Sequence, residues 1–465
     1  MREVDVVIIG AGTAGLSALG HVRRRTNNFV IINDGPYGTT CARIGCMPSK
    51  MLIEAADIYH KQKLFEPMGF KLNSSTEVDG KPVLKRVREL RDKLVKNVNR
   101  ATKKLEDKNI SGKAKILSPN LVEVNGEEIQ TKSMIIATGS RPVMPEQWKK
   151  FGSRILTNEN IFEMETLPKS LAVVGLGSIG LELAQALSRL GVQVTGFDAL
   201  DTVGGISDPE VSQSAIDILR EEFPFYLESK VILKEGMNNQ ILVQSGDKEL
   251  LVEKVLVAVG RKPNISGLSL ENLGVPLNEL GIPAFNENTM QIADLPVFIA
   301  GDVNNRMPLM AEAADDGHIA GVNSIKDKIQ SYCRRSFIGL VFTHPNIAFV
   351  GKRFSELDLE NTVIGSTDYS KQTRAMTAMI NKGLLRIYAD KNTGKLIGAE
   401  MAVPNGEHLA HLISWAVQKE LTVFETLELN YYHPVTEEGI AAALRRIARK
   451  VEKRESGPEI PLCHS

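Results

Sequence analysis

The chain has 465 residues, more than one hydrophobic core accommodates, so about three domains are expected. Lys plus Arg equals Asp plus Glu at 56 each, a formal net charge of zero. That balance argues against a nucleic-acid or anionic-membrane binder and for a small-molecule partner. No apolar run reaches the ~20 residues that span a bilayer, and four cysteines are too few for a secreted disulfide framework.

The first apolar run, residues 4–9, follows Met1-Arg2-Glu3 with no secretory leader, so a reducing cytoplasm is expected. It reads as a buried parallel strand and meets Gly10-Ala11-Gly12-Thr13-Ala14-Gly15. A helix over 16–25 and a second apolar run over 29–32 complete half of a doubly wound nucleotide fold. At the end of that second run, where a ribose is met, stand Asn33 and beside it Asp34.

Next comes GTTCARIGCMPSK, residues 38–50, which spends two of the four cysteines five positions apart. A zinc site wants about four ligands, and no further Cys or His lies nearby. Idle buried thiols, a structural disulfide and a redox-active pair are the other readings. Positions i and i+5 of a regular helix have Cα atoms about 8.7 Å apart, beyond the roughly 7 Å a disulfide tolerates. A redox pair therefore needs a break between the cysteines. Gly45 can supply it, with Pro48 opening a helix just after Cys46. A thiol just before a helix N-terminus is stabilised as thiolate.

Apolar residues at 83, 87, 90, 94, 98, 101 and 105 predict a long amphipathic helix over 81–107, whose mixed charges read as a solvated face. A strand over 134–137 ends in Thr138, Gly139 and Ser140. The opening pattern then recurs. A strand over 171–174 leads into Gly175, Gly177 and Gly180, a helix to Leu190, and a strand over 192–197 that ends at Asp198. Two such fingerprints, each between a buried strand and a helix, point to two dinucleotides. A carboxylate at 198 suits both ribose hydroxyls and repels a 2′-phosphate, and no arginine follows over 199–202, so NAD is expected over NADP. The other site then holds a fixed redox partner, with FAD the obvious candidate. Strands over 255–259 and 297–300 end in Gly260-Arg261 and Gly301-Asp302. From about Gly339 the pattern changes to strands over 384–389 and 396–401, then a helix and a basic tail.

GTTCARIGCMPSK resembles the GGTCxxxGCxPSK active-site segment of the flavin-dependent pyridine nucleotide–disulfide oxidoreductases. The resemblance covers the whole chain and takes in both fingerprints, Ala137-Thr138-Gly139, Ala258-Val259-Gly260-Arg261, Gly301-Asp302 and His433-Pro434-Val435-Thr436-Glu437-Glu438. It implies an α/β chain with two Rossmann-like dinucleotide domains and a C-terminal α+β dimerisation domain. The divisions expected are 1–143 for FAD, 144–270 for NAD, 271–338 completing the FAD site, and 339–465 at the dimer interface.

The family pattern makes Cys46 the charge-transfer thiolate against the flavin and Cys41 the interchange thiol. It makes Lys50 and Glu182 an ion pair near the reactive flavin nitrogen and gives Asp302 to the ribityl chain. Thr40, Ala114, Thr138, Gly139 and Ser140 would line the FAD site, and Gly260 would belong to the nucleotide-binding set. His433, oriented by Glu438, would move the thiol protons in the other subunit of a homodimer. NAD-type ribose recognition, MPSK and the His–Glu pair are most similar to the lipoamide dehydrogenase branch, which oxidises a dihydrolipoyl group with NAD+. A reductase of another small disulfide, a mercuric-reductase-like enzyme and a dinucleotide-binding redox sensor are the alternatives. No metal is expected.

Some residues depart from the family pattern. Thr39 replaces a glycine and, being β-branched, is expected to send the turn along another path. Asn33 replaces an acid, and Asn346 stands where an acid or amide often occurs. Tyr431, Tyr432 and Val435 replace the family's usual run around the histidine, and the two tyrosines are expected to alter the substrate channel. Cys463 reads as an incidental thiol in the tail.

Overall fold

A computed structural model of the chain describes residues 2–71, 76–451 and 459–460; Cys463 lies outside the described residues. Near-continuous apolar runs make the first sheet, because strands covered on both faces have no polar side to show. Its parallel core runs in the order Asn109–Ser111, Phe29–Asn33, Arg2–Ile9, Glu127–Ile136. Leu121–Val124 and Ala114–Ser118 extend it antiparallel, and Val297–Ile299 pairs in parallel with the end of Glu127–Ile136.

Against this sheet lies α1 (Thr13–Val22), which begins earlier than the sequence pattern indicated because Gly12 serves as its N-cap. Then come α2 (Thr40–Ile44), α3 (Cys46–His60) and α4 (Gly80–Lys103). The last is the predicted long helix. Leu84 and Val87 are buried on its inner side, and its basic residues include Arg88, bonded to the carbonyls of Phe162 and Met164.

The second sheet is wholly parallel, in the order Phe225–Tyr226, Gln193–Phe197, Ser170–Val174, Lys254–Val257, Ile155–Leu156. It carries α5 (Ser178–Arg189) and α6 (Pro209–Arg220). The chain enters and leaves this unit through an antiparallel ribbon of Ser140–Pro142 with Arg261–Pro263. α7 (Met310–Asn323) then returns to α1. A Cβ on Gly317 would stand 2.2 Å from the Ala14 carbonyl oxygen, so only glycine permits this approach.

The third domain is a five-stranded antiparallel sheet, in the order Ile338–Val341, Asn346–Gly351, Leu396–Val403, Leu384–Asp390, Thr362–Asp368. With it are α8 (Thr373–Thr377), α9 (Gly406–Gln418), α10 (Val423–Leu427) and α11 (Glu438–Ala448). Buried Glu400 ties this domain to the second. It accepts from Ser207 N at 2.8 Å, Asp208 N at 3.0 Å, Phe354 N at 3.1 Å and Arg353 Nε at 2.9 Å. A carboxylate this deep is tolerable only when its oxygens are so filled. Among the described residues no helix is long and apolar enough to cross a membrane.

Candidate active site

The two glycine turns are built alike. Gly10 has φ +114°, and a Cβ there would lie 2.2 Å from the Ala137 carbonyl oxygen; Gly175 has φ +93° and the same relation, at 2.4 Å, to Ala258. Gly15 and Gly180 let their helices close on the strand, since a Cβ on either would sit 1.9 Å from the Gly10 or Gly175 oxygen. Gly12 and Gly177 differ from these. A Cβ on either would meet nothing within 4 Å. The middle glycine therefore keeps the turn's outer face clear where a pyrophosphate meets the helix N-terminus. The residues fit a dinucleotide at both places.

The ribose positions also correspond. Asp198 accepts from Leu176 N at 2.5 Å and Leu200 N at 2.9 Å. Asn33 accepts from Ala11 N at 3.0 Å and donates Nδ2–H to the Gly35 carbonyl at 3.0 Å. Asn33, not exposed Asp34, is thus the counterpart of Asp198. Ala114 heads its strand nearby, where Gly112 N donates to the Asn33 carbonyl at 3.1 Å.

Thr138, Gly139 and Ser140 lead into the interdomain ribbon opposite Gly260, with φ +70° at Gly139 and +117° at Gly260. Ser140 Oγ donates to Asp302 Oδ2 at 2.6 Å and accepts from Arg261 Nε at 2.8 Å. Asp316, which sequence reasoning missed, supports this corner. Its buried carboxylate accepts from Gly301 N at 3.1 Å, Asn304 Nδ2 at 2.8 Å and Arg334 Nη2 at 2.6 Å. Its only sequence signal was a second carboxylate, Asp315, beside it on a helix.

Around the cysteines, Gly38 takes the left-handed conformation at φ +104°, so Thr39 need not. Thr39 is extended, φ −65°, and its hydroxyl accepts from Ala42 N at 3.1 Å as the N-cap of α2. The threonine takes no strained conformation and serves as a cap. Thr40, exposed, opens α2, and Cys41 follows it. Gly45, with φ −129° and ψ −122°, breaks the chain between α2 and α3, as the spacing argument requires. A Cβ there would lie 3.2 Å from Cys41 Cα, so glycine lets α2 fold back. α3 begins at Cys46 itself, two residues before Pro48, because Gly45 is the cap. Prolines are tolerated throughout a first turn, whose N–H groups have no intrahelical partner.

The break lets the Cys41 thiol donate to the Cys46 sulfur. That hydrogen bond holds Cys46 low, at about 6, with help from the Lys50 charge. Cys41 is pushed up by the same bond and by burial. At neutral pH the pair is thus thiol and thiolate, and the thiolate is lost as pH falls below about 6. One turn along α3, Lys50 Nζ pairs with buried Glu182 of α5 at 2.7 Å.

In the third domain His433 Nδ1 meets Glu438 Oε1 at 2.9 Å, and Glu438 Oε2 accepts from Val435 N at 3.2 Å. The bond from His433 holds the Glu438 carboxyl below its ordinary range. Among the described residues no hydrogen bond or ion pair within one chain joins exposed His433 to either cysteine. Tyr431 is half-buried, bonded through its hydroxyl to the Thr426 carbonyl at 3.3 Å, whereas Tyr432 is exposed. Asn346 is structural, donating to the Thr343 carbonyl at 2.7 Å. Among the described residues no three His, Cys, Asp or Glu side chains are grouped to hold a metal ion.

Residues 4–317 match the pyridine nucleotide-disulphide oxidoreductase family, and residues 338–444 match the dimerisation domain of the same family. The chain is 30% identical to dihydrolipoyl dehydrogenase 1, mitochondrial, of Arabidopsis thaliana, over 95% of this chain and 90% of that protein. It is 28% identical to dihydrolipoyl dehydrogenase of Bacillus subtilis, over 95% and 97%. The crystal structure of LpdA from Mycobacterium tuberculosis shares the fold with a TM-score of 0.84 at 24% identity, over 96% and 100% of the two chains. The flavoprotein disulfide reductase RclA of Escherichia coli does so with 0.81 at 21%, over 95% and 99%.

Proposed function

The chain belongs to the pyridine nucleotide-disulphide oxidoreductase family, and from that premise we propose that it oxidises dihydrolipoyl groups with NAD+ through Cys41 and Cys46. It is an FAD-dependent oxidoreductase acting on sulfur, it uses NAD(H), and its dimerisation domain makes it a homodimer. When bound, FAD accepts an electron pair from the dithiol and passes it as hydride to NAD+. Gly10, Gly12, Gly15, Asn33, Ala114, Ser140 and Asp302 would hold FAD, and Gly175, Gly177, Gly180 and Asp198 would hold NAD.

The observation that carries the reading is the Cys41–Cys46 pair, with Cys41 in α2 folded back across Gly45 toward Cys46 at the start of α3 and the Lys50–Glu182 ion pair one turn along. In the oxidised enzyme a substrate thiolate attacks Cys41 of the disulfide. A mixed disulfide forms and Cys46 leaves. Cys46 is the better leaving group because its thiolate is the more stable. The second substrate thiol, deprotonated by His433, then attacks its neighbour in the mixed disulfide and expels Cys41. Cyclic lipoyl disulfide departs, and the electron pair remains on the Cys41–Cys46 dithiol. Thiol–disulfide exchange needs such a base because only the thiolate attacks.

The test is a kinetic panel of dihydrolipoamide with NAD+, and of lipoamide, oxidised glutathione, other small disulfides and mercuric ion with NADH and NADPH. The lipoyl pair is expected to lead in kcat/KM with NAD(H). A higher value for another disulfide overturns the substrate. Within the same panel, Asp198→Ala is expected to raise KM for NADH roughly tenfold, the loss of a charged hydrogen bond, and to narrow the gap to NADPH. A wild-type preference for NADPH would refute the ribose reading.

A further inference from the structure

Phe342 lies in the loop between Ile338–Val341 and Asn346–Gly351 of the third domain, yet it touches both members of the ion pair beside the cysteines. Lys50 Nζ stands 4.3 Å from the centroid of its ring. Its backbone N–H donates to Glu182 Oε1 at 2.9 Å, while Glu182 Oε2 takes Lys50 at 2.7 Å. The loop is laced down one turn further on. Gln185 of α5 accepts from His344 N and donates to the His344 carbonyl, both at 2.8 Å. His344 Nε2 meets Asp57 Oδ2 of α3 at 2.7 Å, and Asp57 Oδ1 pairs with Arg189 of α5 at 2.5 Å. Arg189 in turn binds Glu222 at 2.7 Å. The dimerisation domain thus straps α3 to α5 at two levels, and the upper level is the Phe342 ring.

We propose that Phe342 is a positioning residue for the dithiol reaction, its ring fixing the Lys50 ammonium where that charge supports the Cys46 thiolate. The proposal rests on the dithiol reading above. Lys50 lies four residues past Cys46 on α3 and so on the same helix face. The groups acting on Cys46 are the Cys41 thiol from α2, Lys50 from α3 and Glu182 from α5. Lys50 favours the thiolate and Glu182 opposes it, so the balance turns on where the ammonium sits between them. An ammonium over an aromatic face is attracted by the ring quadrupole and keeps its full charge. Without the ring, only Glu182 at 2.7 Å and Ser49 Oγ at 3.4 Å hold Lys50, and the ammonium can swing about the carboxylate away from Cys46.

The experiment follows the long-wavelength charge-transfer absorbance between the Cys46 thiolate and the flavin in two-electron-reduced holoenzyme, titrated with pH. Phe342→Leu is expected to raise the midpoint by about one unit, the scale of a partly desolvated cation–π contact. Phe342→Tyr keeps the ring and the wild-type midpoint. In a Lys50→Met background Phe342→Leu adds no further shift, which a merely structural role would not predict. An unmoved midpoint in Phe342→Leu, or an equal shift with Lys50 gone, overturns the proposal and leaves the dithiol reading standing. No charge-transfer absorbance in the wild type at any pH overturns the dithiol reading itself.

Discussion

Replacing Cys41 with serine is expected to abolish dihydrolipoamide–NAD+ turnover, by about 10³-fold or more, the order seen when a covalent nucleophile is removed. NADH-to-dye electron transfer is expected to stay close to the wild-type rate. The two activities separate because they use different halves of the site. Dye reduction needs the second nucleotide cradle and the flavin, whereas exchange needs a sulfur that can form and release a mixed disulfide. Serine puts a hydroxyl donor where the Cys41 thiol faces Cys46, so the stabilisation of that thiolate is largely kept. Alanine at 41 removes the donor as well. The Cys46 midpoint in Cys41→Ala is then expected above that in Cys41→Ser, with thiolate lost at a higher pH. Turnover with dihydrolipoamide and with dye are measured side by side, with a pH titration of each variant. Retained dihydrolipoamide turnover in Cys41→Ser, or equal loss of both activities, would remove Cys41 from the interchange role.

The features legible in the sequence were those whose cause is local. Gly10 and Gly175 announce themselves because a turn of that shape admits no side chain, and a Cβ at Gly15 or Gly180 would collide with the turn's own carbonyl. The break at Gly45 follows from chain geometry, since a continuous helix cannot bring Cys41 and Cys46 together. The role of Thr39 was not legible because it depends on its neighbour: Gly38 carries the left-handed conformation and frees Thr39 to cap α2. The direction of Tyr431 was not legible because adjacency to His433 says nothing of it; its hydroxyl turns back to Thr426. Asp316 and Phe342 were scarcely legible. The meaning of Phe342 lies in contacts across domains, with Lys50 and Glu182, and that of Asp316 in its bond to the Gly301 turn fifteen residues earlier.

His433→Gln is expected to lower dihydrolipoamide turnover by about 10²–10⁴-fold, the usual span for loss of a general base, with KM little changed. The geometry fixes which nitrogen works. Glu438 engages Nδ1 at 2.9 Å, which holds the proton there and leaves Nε2 as the base. Glu438 is depressed by that same bond, so the carboxylate that orients the ring is present at neutral pH and lost only as pH falls through its lowered value. The acid limb of the rate profile therefore follows Cys46, held at about 6, and not Glu438. The family pattern gives His433 to the partner subunit's thiols, and mixing decides it. Heterodimers of Cys41→Ser with His433→Gln contain one wholly intact site and one doubly disabled site when the histidine acts across the interface. A random mixture then regains about a quarter of wild-type turnover, half the dimers each with one of two sites. If the histidine acted within its own chain, every site would carry one lesion and nothing would be regained.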